Sequence, residues 1–262
     1  MSVGSTKTAP IRGSIEVTSI DPTQARIQDS LSSSQPFLSK PRALQFWAGA
    51  MVVLPVFLQA SWAHFAPLSA CFFTFVILVA GIAIAKLGKA RWFEFGSLLV
   101  GVSGSWLGGC LFWGWLRSHP LLHIPVEALV LPIAIAALGT KWRLGAAFYI
   151  SCLLGTAITD LMIVLTGVMD QWPIVVNASL DLAPKMLHES ALKLINLQAT
   201  LLLSTAAIVI SFIAYQMKQR ANIDFEIGKS WIVASAALTT TLWVDGLFLL
   251  TALFQPSLSG LI

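Results

Sequence analysis

Residues 106–137, WLGGCLFWGWLRSHPLLHIPVEALVLPIAIAA, contain the end of one apolar segment and the start of the next. Between the two segments the chain turns at 117–120, Arg-Ser-His-Pro. The second segment begins with His123, Pro125 and Glu127, although polar and charged groups are expensive in hydrocarbon. The stretch therefore predicts a turn between two membrane spans, with polar groups placed just inside the second one.

The composition indicates a multi-pass membrane protein. Of the 262 residues, 56% are hydrophobic and 11% are charged, and the mean hydropathy is +0.80. A soluble domain carries about 25% charged residues, so this chain has too few to cover a globular surface. The net charge of +4 indicates a cytoplasmic face rather than nucleic-acid binding, because Lys and Arg collect on that side of membrane proteins. The lipid bilayer is the predicted partner, and no nucleic acid is expected.

Seven segments are long enough to span a bilayer, whose hydrocarbon core of about 30 Å needs about 20 apolar residues per helix. They lie at 43–62, 66–85, 95–116, 121–139, 144–168, 196–216 and 231–254. With all seven crossing, 13 of the 16 Lys and Arg residues fall on one side. Omitting the fourth segment, the shortest and most polar at its start, would break this alternation. We therefore expect an all-α polytopic bundle of about seven spans with a cytoplasmic N-terminus.

The regions outside the spans differ in composition. Residues 1–38 are rich in Ser, Thr, Gln and Pro and predict a disordered cytoplasmic tail. A transmembrane domain is expected over 39–255, followed by a short C-terminal tail at 256–262. Within the domain, 178–195 carries apolar residues on one helical stripe and predicts an amphipathic segment on the outer side.

Span three carries two interleaved rows of small residues. Gly101, Ser105 and Gly109 form one row, and Gly104 and Gly108 form the other. Small residues four apart let two helix backbones approach closely. We expect these rows to pack against other spans of the same chain rather than to form a dimer face.

Three carboxylates lie inside apolar spans, at Glu127, Asp160 and Asp245. With the predicted topology all three fall in the outer half of the membrane. Such residues normally face the interior of a bundle and mark ion or substrate pathways. We hypothesise a polar pocket open to the outer side, able to relay protons, bind a metal or hold a polar substrate. Its predicted members are Arg117, His119, His123, Glu127, Asp160 and Asp245.

A structural interpretation of the same residues stays open. Each acid could make one hydrogen bond between helices, worth about 0.6 kcal/mol on average. His119 and His123 could be ordinary residues at headgroup level. Their i, i+4 spacing would suit a metal on a continuous helix, but Pro120 and Pro125 interrupt it, so no metal site is predicted. The sequence contains no GxSxG, HExxH, Walker or GxGxxG motif, so no catalytic residue is predicted, and the sequence does not indicate whether a cofactor is bound.

Three motifs carry a family resemblance: WGWLRSHPLLHIPVEALVLP at 113–132, GTAITD at 155–160 and VDGLF at 244–248. On the basis of these motifs, residues 40–255 resemble a family of cyanobacterial integral membrane proteins known only as a domain of unknown function. The resemblance implies a photosynthetic bacterial host and a plasma or thylakoid membrane. It brings no activity and no site residues.

Three function classes follow from these observations. The leading one is a small-solute or proton-linked carrier or binding protein that uses the outer-half acidic pocket. The second is a non-catalytic accessory or assembly factor for a photosynthetic membrane complex, based on the resemblance, the small residues of span three and the outer amphipathic segment. An intramembrane enzyme acting on a lipid or pigment is the least supported. The sequence predicts neither a substrate nor an oligomeric state.

Overall fold

The computed structural model describes residues 41–88, 92–179, 181–222 and 225–254. The predicted tails at 1–38 and 256–262 lie outside these residues. The described residues form an all-α structure, and seven of its helices are long and apolar enough to cross a membrane. The predicted fold class and the number of spans are therefore confirmed. Spans one to seven are Pro41–Phe65, Pro67–Leu87, Phe93–Leu116, Pro120–Ala137, Arg143–Leu165, Leu197–Arg220 and Ile227–Phe254.

Span three lies at the centre of the bundle. It packs against spans one, two and five, and it is the most buried of the seven. Span seven packs against spans one, five and six, so it connects the remaining helices to this centre. The main core cluster includes Leu44 of span one, Leu98 of span three, Phe148 of span five and Val233 of span seven.

The small residues of span three lie against other parts of this chain. An added Cβ atom would lie 2.2 Å from the Gly145 carbonyl oxygen at Gly101, and 3.1 Å from the Tyr149 ring at Gly104. Gly145 of span five approaches just as closely, because a Cβ there would lie 2.0 Å from the Ser97 carbonyl oxygen. Spans three and five therefore touch backbone to backbone, which only glycine permits at this distance.

The other three predicted packing residues have similar surroundings. A Cβ on Gly108 would meet the Cα of Glu127 at 2.7 Å. A Cβ on Gly109 would meet the side chain of Gln59, on span one, at 2.6 Å. Ser105 lies beside Cys152 of span five. These positions bring spans one, four and five close to span three.

Span four is broken into short pieces. A 3₁₀ turn at Pro120–Leu122 leads into an α-helix at His123–Glu127, a second 3₁₀ turn at Ala128–Val130 and a final α-helix at Leu131–Ala137. Prolines at 120, 125 and 132 lack the N–H group that a continuous helix needs. The Tyr149 hydroxyl donates to the Glu127 carbonyl at 2.5 Å and satisfies one backbone acceptor of the broken stretch. Irregular backbone at membrane depth is tolerated where it is buried in protein or lines a cavity.

Short helices connect spans five and six. Gly167, with φ of +73°, ends span five in the left-handed conformation that glycine adopts without strain. A 3₁₀ turn at Met169–Gln171, a helix at Trp172–Val176 and a helix at Ala183–Leu192, the linking helix, follow. The linking helix lies within the predicted amphipathic segment. Its His188 ring is 2.8 Å from the Ala252 carbonyl, which holds it against the end of span seven.

Candidate functional site

His123 joins two carboxylates from two different spans. Its Nδ1 atom lies 3.0 and 3.2 Å from the two carboxylate oxygens of Asp160 on span five. Its Nε2 atom lies 3.2 Å from Oε1 of Glu127, four residues further along span four. The three side chains are 12–17% exposed, so they lie largely inside the protein. One imidazole ring therefore connects the broken span four to span five.

The break in span four puts this ring in place. His123 and Glu127 are the first and last residues of the five-residue α-helix, and their i, i+4 spacing puts both on one face. The ring stacks on Phe112 of span three with 4.1 Å between ring centres and 25° between ring planes. The missing side chain at Gly108 lets span three approach the backbone of Glu127. Span three thus supports the back of the site.

The third carboxylate, Asp245 of span seven, joins the same region through Thr159. The Thr159 hydroxyl lies 2.5 Å from an Asp245 oxygen and 3.1 Å from the Gly155 carbonyl, and it has one proton to donate between them. Thr159 immediately precedes Asp160 on span five. Carboxylates from three spans thus come together at one end of the bundle. We call His123, Glu127, Thr159, Asp160 and Asp245 the His123 cluster.

The two contacts of His123 determine how many protons His123, Glu127 and Asp160 share. Each ring nitrogen faces a carboxyl group, and each hydrogen bond needs one proton, supplied by the ring or by the carboxyl group. The ring is then either doubly protonated between two carboxylates, or neutral with one carboxylic acid beside it. In both arrangements His123, Glu127 and Asp160 together carry a charge of −1. A proton can therefore move between ring and carboxyl group without changing this charge, and one further proton neutralises the group.

The same geometry does not suit a metal ion. Both ring nitrogens of His123 already face acceptors, and the two carboxyl groups lie at opposite edges of the ring. Among the described residues, no group of three or more His, Cys, Asp or Glu side chains is arranged to hold one metal ion.

Two of the six predicted pocket residues lie apart from the cluster. Arg117, in the turn after span three, contacts the His64 ring at the end of span one through its guanidinium group. Its carbonyl oxygen accepts a hydrogen bond of 2.7 Å from the Trp172 indole. His119 is exposed, and its backbone N–H donates to the Leu116 carbonyl at 2.8 Å. The structure thus brings His123, Glu127, Asp160 and Asp245 together and leaves Arg117 and His119 in the turn.

Sequence reasoning missed four residues that position the cluster or its supports. Thr159 lies in the GTAITD motif, but a threonine in an apolar span gives no signal of its own. Phe112 and Tyr149 look like ordinary aromatic core residues. Gln59 is an amide inside span one, six residues before its end at Phe65, and a polar amide in an apolar span is a signal that sequence reasoning could have used. Its side chain is 7% exposed, contacts the Trp106 carbonyl and lies 3.3 Å from the Cys110 sulfur.

Two grooves on the described part of the bundle are lined by residues outside the cluster. An apolar groove of about 500 Å³ lies between spans five and six, beside Leu161, Leu201 and Val209. A second groove of about 410 Å³ lies between spans one, six and seven and has a more polar lining.

Comparison with known proteins gives one match. No curated protein and no solved structure matches the chain. The model of a family described as "Protein of unknown function (DUF3120)" matches residues 48–253. This range contains all three motifs on which the resemblance rests, and the resemblance to a family of unknown function is confirmed. Because the match extends from span one to the last turn of span seven, the chain belongs to the DUF3120 family.

Proposed function

We propose that this integral membrane protein is a proton-linked carrier of a small solute, with the His123 cluster as its proton-handling site. The observation that carries the proposal is the meeting of Glu127, Asp160 and Asp245, from three spans, around one histidine and one threonine. Ionisable groups are costly inside a membrane, and where they converge they commonly form proton relays or ion pathways. A purely structural hydrogen bond between two helices would need only one ionisable group, whereas several meet here.

The broken span four supports the same function. In many transporters the binding site is formed by interrupted helices, whose free backbone groups and side chains face the substrate. Here the interruption carries His123 and Glu127, two of the cluster's ionisable residues. Short pieces joined by 3₁₀ turns also give the site a segment that can change its angle while the straight spans stay in place.

The proposal includes an orientation. With the N-terminus in the cytoplasm, as the distribution of Lys and Arg predicts, the cluster lies beneath the non-cytoplasmic surface. Asp160 is five residues before the end of span five, about 8 Å along the helix, and Asp245 is nine residues before the end of span seven, about 14 Å. A plasma or thylakoid membrane of a photosynthetic bacterium is the location that the resemblance predicts.

The accessory or assembly factor is less well supported than the carrier. Part of its basis was the row of small residues on span three, which could have received a partner's helix. Gly101, Gly104, Gly108 and Gly109 instead lie against spans one, four and five of the same chain. This face is therefore occupied within the protein.

Reconstitution tests the carrier directly. The purified full chain is inserted into liposomes that contain a pH-sensitive dye, and gradients of inorganic cations, inorganic anions, small carboxylates and amino acids are imposed one at a time. We expect at least one solute gradient to change the internal pH. Replacing His123 with Gln, Glu127 with Gln or Asp160 with Asn should reduce the rate at least tenfold, because each change removes a proton-holding group.

The matched control is Glu189→Gln on the linking helix. Glu189 is an exposed carboxylate at the same end of the bundle, and it should keep the wild-type rate. The proposal is contradicted if no solute gradient in the panel moves protons, or if the cluster variants and the control behave alike.

A further inference from the structure

We infer that the groove between spans one, six and seven is the water-filled half of the solute path on the side opposite the His123 cluster. This inference rests on the proposed carrier function and extends it to the other half of the membrane. We call this groove the polar groove. Its polar lining includes Gln45, Ser211, Tyr215, Lys218, Thr239 and Thr240.

Four of these side chains lack a protein partner. In the described part of the chain, the Gln45 amide, the Ser211 and Tyr215 hydroxyls and the Lys218 ammonium group make no hydrogen bond or ion pair. Each such group left bare in hydrocarbon costs several kcal/mol. The groups therefore need water, a solute or a lipid headgroup in the groove.

The depth of the polar lining favours water over a headgroup. Ser211, Tyr215 and Lys218 are spaced four and three residues apart, which puts them on one face of span six. Ser211 is five residues from the predicted end of span six at 216, about 8 Å along the helix, and Lys218 lies just beyond that end. Thr240, which lines the same groove, is nine residues from the predicted start of span seven at 231, about 14 Å along the helix and nearly half of a core about 30 Å thick. The polar face therefore leads from the end of the bundle towards its middle.

Span seven brings the polar groove close to the His123 cluster. Thr239 and Thr240 line the groove, and Asp245 follows Thr240 by five residues, about 8 Å along the helix. Span seven makes two close contacts at this level. A Cβ on Gly49 of span one would lie 3.0 Å from the Thr240 hydroxyl, and one on Gly155 of span five would lie 2.8 Å from a Thr241 methyl group. Spans one and five thus pack closely on span seven at Thr240 and Thr241, at the level between the polar groove and Asp245.

The chemistry of the lining selects the solute. Lys218 contributes a positive charge, and the hydroxyl and amide groups donate hydrogen bonds, whereas the described lining contains no carboxylate. The groove therefore suits a small anion. In the cluster, His123, Glu127 and Asp160 together carry a charge of −1, which repels that anion until one more proton neutralises these three residues, and an ionised Asp245 adds to the repulsion. Uptake of a proton and passage of an anion are thereby coupled, and the carrier moves both in the same direction.

Thiol labelling tests whether the groove holds water without requiring the solute to be known. Ser211→Cys is introduced into the full chain, and Phe212→Cys is its matched control. Phe212 neighbours Ser211 at the same depth and is exposed as Ser211 is, but it does not belong to the groove lining. The probes are two charged, membrane-impermeant methanethiosulfonates, one anionic and one cationic, applied to intact cells and to inside-out vesicles. The wild-type chain gives the background from Cys71, Cys110 and Cys152.

We expect Ser211→Cys to react at least tenfold faster than Phe212→Cys, and only from the side on which span one begins. Adding Lys218→Gln should lower the ratio of the anionic to the cationic labelling rate at Ser211→Cys. Thr239→Cys, on span seven, provides a second position if Ser211→Cys does not fold. Equal labelling of the groove and control cysteines, no labelling of either groove cysteine, or labelling from the opposite side would overturn the inference.

The two proposals fail in different ways. Selective labelling without any solute-driven proton movement would refute the carrier and leave a water-filled groove. Solute-driven proton movement without labelling would retain the carrier and refute the polar groove as its path.

Discussion

Replacing His123 with Phe removes both contacts to the carboxylates while keeping an aromatic ring against Phe112. The wild-type ring stacks at 4.1 Å, and a phenyl ring fills nearly the same space, so the loss of packing should be small. What disappears are the contacts of 3.0 Å to Asp160 and 3.2 Å to Glu127. The substitution therefore isolates the polar contribution of the ring to stability.

The expected loss in the free energy of unfolding lies between two reference values. Removing one partner of a buried ion pair costs about 3–5 kcal/mol, and a hydrogen bond between membrane helices contributes about 0.6 kcal/mol on average. His123 makes two contacts, and its side chain is 12% exposed, so we expect the free energy of unfolding to fall by about 2–3 kcal/mol. Two carboxylates about 8 Å apart repel by about 2 kcal/mol at an effective dielectric constant of 20. Adding Glu127→Gln to His123→Phe should therefore restore about 1 kcal/mol or more.

Unfolding in mixed detergent micelles, followed by tryptophan fluorescence, measures these differences. His119→Phe is the control, because His119 is exposed and outside the cluster, and it should change the free energy of unfolding by about 0.5 kcal/mol or less. A similarly small change for His123→Phe would refute the reasoning. The same holds if Glu127→Gln destabilises the wild-type chain and the His123→Phe variant equally, because the two residues would then be uncoupled.

Two further substitutions test how the spans are held together. Gly145→Ala should lower the thermal midpoint by several degrees, because its Cβ would lie 2.0 Å from the Ser97 carbonyl oxygen, whereas Gly139→Ala, with open space around it, should not. Equal midpoints for the two variants in a thermal melt would show that spans three and five are not in backbone contact. Thr159→Val should reduce the free energy of unfolding by about 0.6–1.7 kcal/mol by removing its bond to Asp245. That loss should vanish in an Asp245→Ala background, and an undiminished loss there would contradict the contact.

The sequence contained enough information for the number and type of the spans. The lengths of the apolar segments and the alternation of loops rich in Lys and Arg are two patterns that extend along the whole chain. Each pattern checks the number of spans that the other one predicts. The same alternation identified span four as a crossing although His123 and Pro125 interrupt its start. That the three carboxylates lie at a similar level along the bundle could be expected from the span order, because each helix rises by a fixed amount per residue.

The contacts within the site could not be predicted in the same way. Which carboxylate meets which ring depends on the rotation of each helix about its axis, and a row of apolar residues leaves that rotation undetermined. Arg117 and His119 are close to His123 in sequence, yet the turn after span three directs Arg117 to His64. Thr159 connects Asp245 to the cluster only because spans five and seven pack with that side chain between them.

The central claim is that His123 holds the carboxyl groups of Glu127 and Asp160 in one proton-sharing unit. Its most direct test is the nitrogen-15 spectrum of histidine-labelled protein in lipid bilayers, with the His123 signals assigned by their loss in His123→Gln. We expect both ring nitrogens to be hydrogen-bonded, and Asp160→Asn to shift the Nδ1 signal more than Glu127→Gln does, with the reverse order for Nε2. Ring signals that neither carboxyl substitution moves would contradict the account.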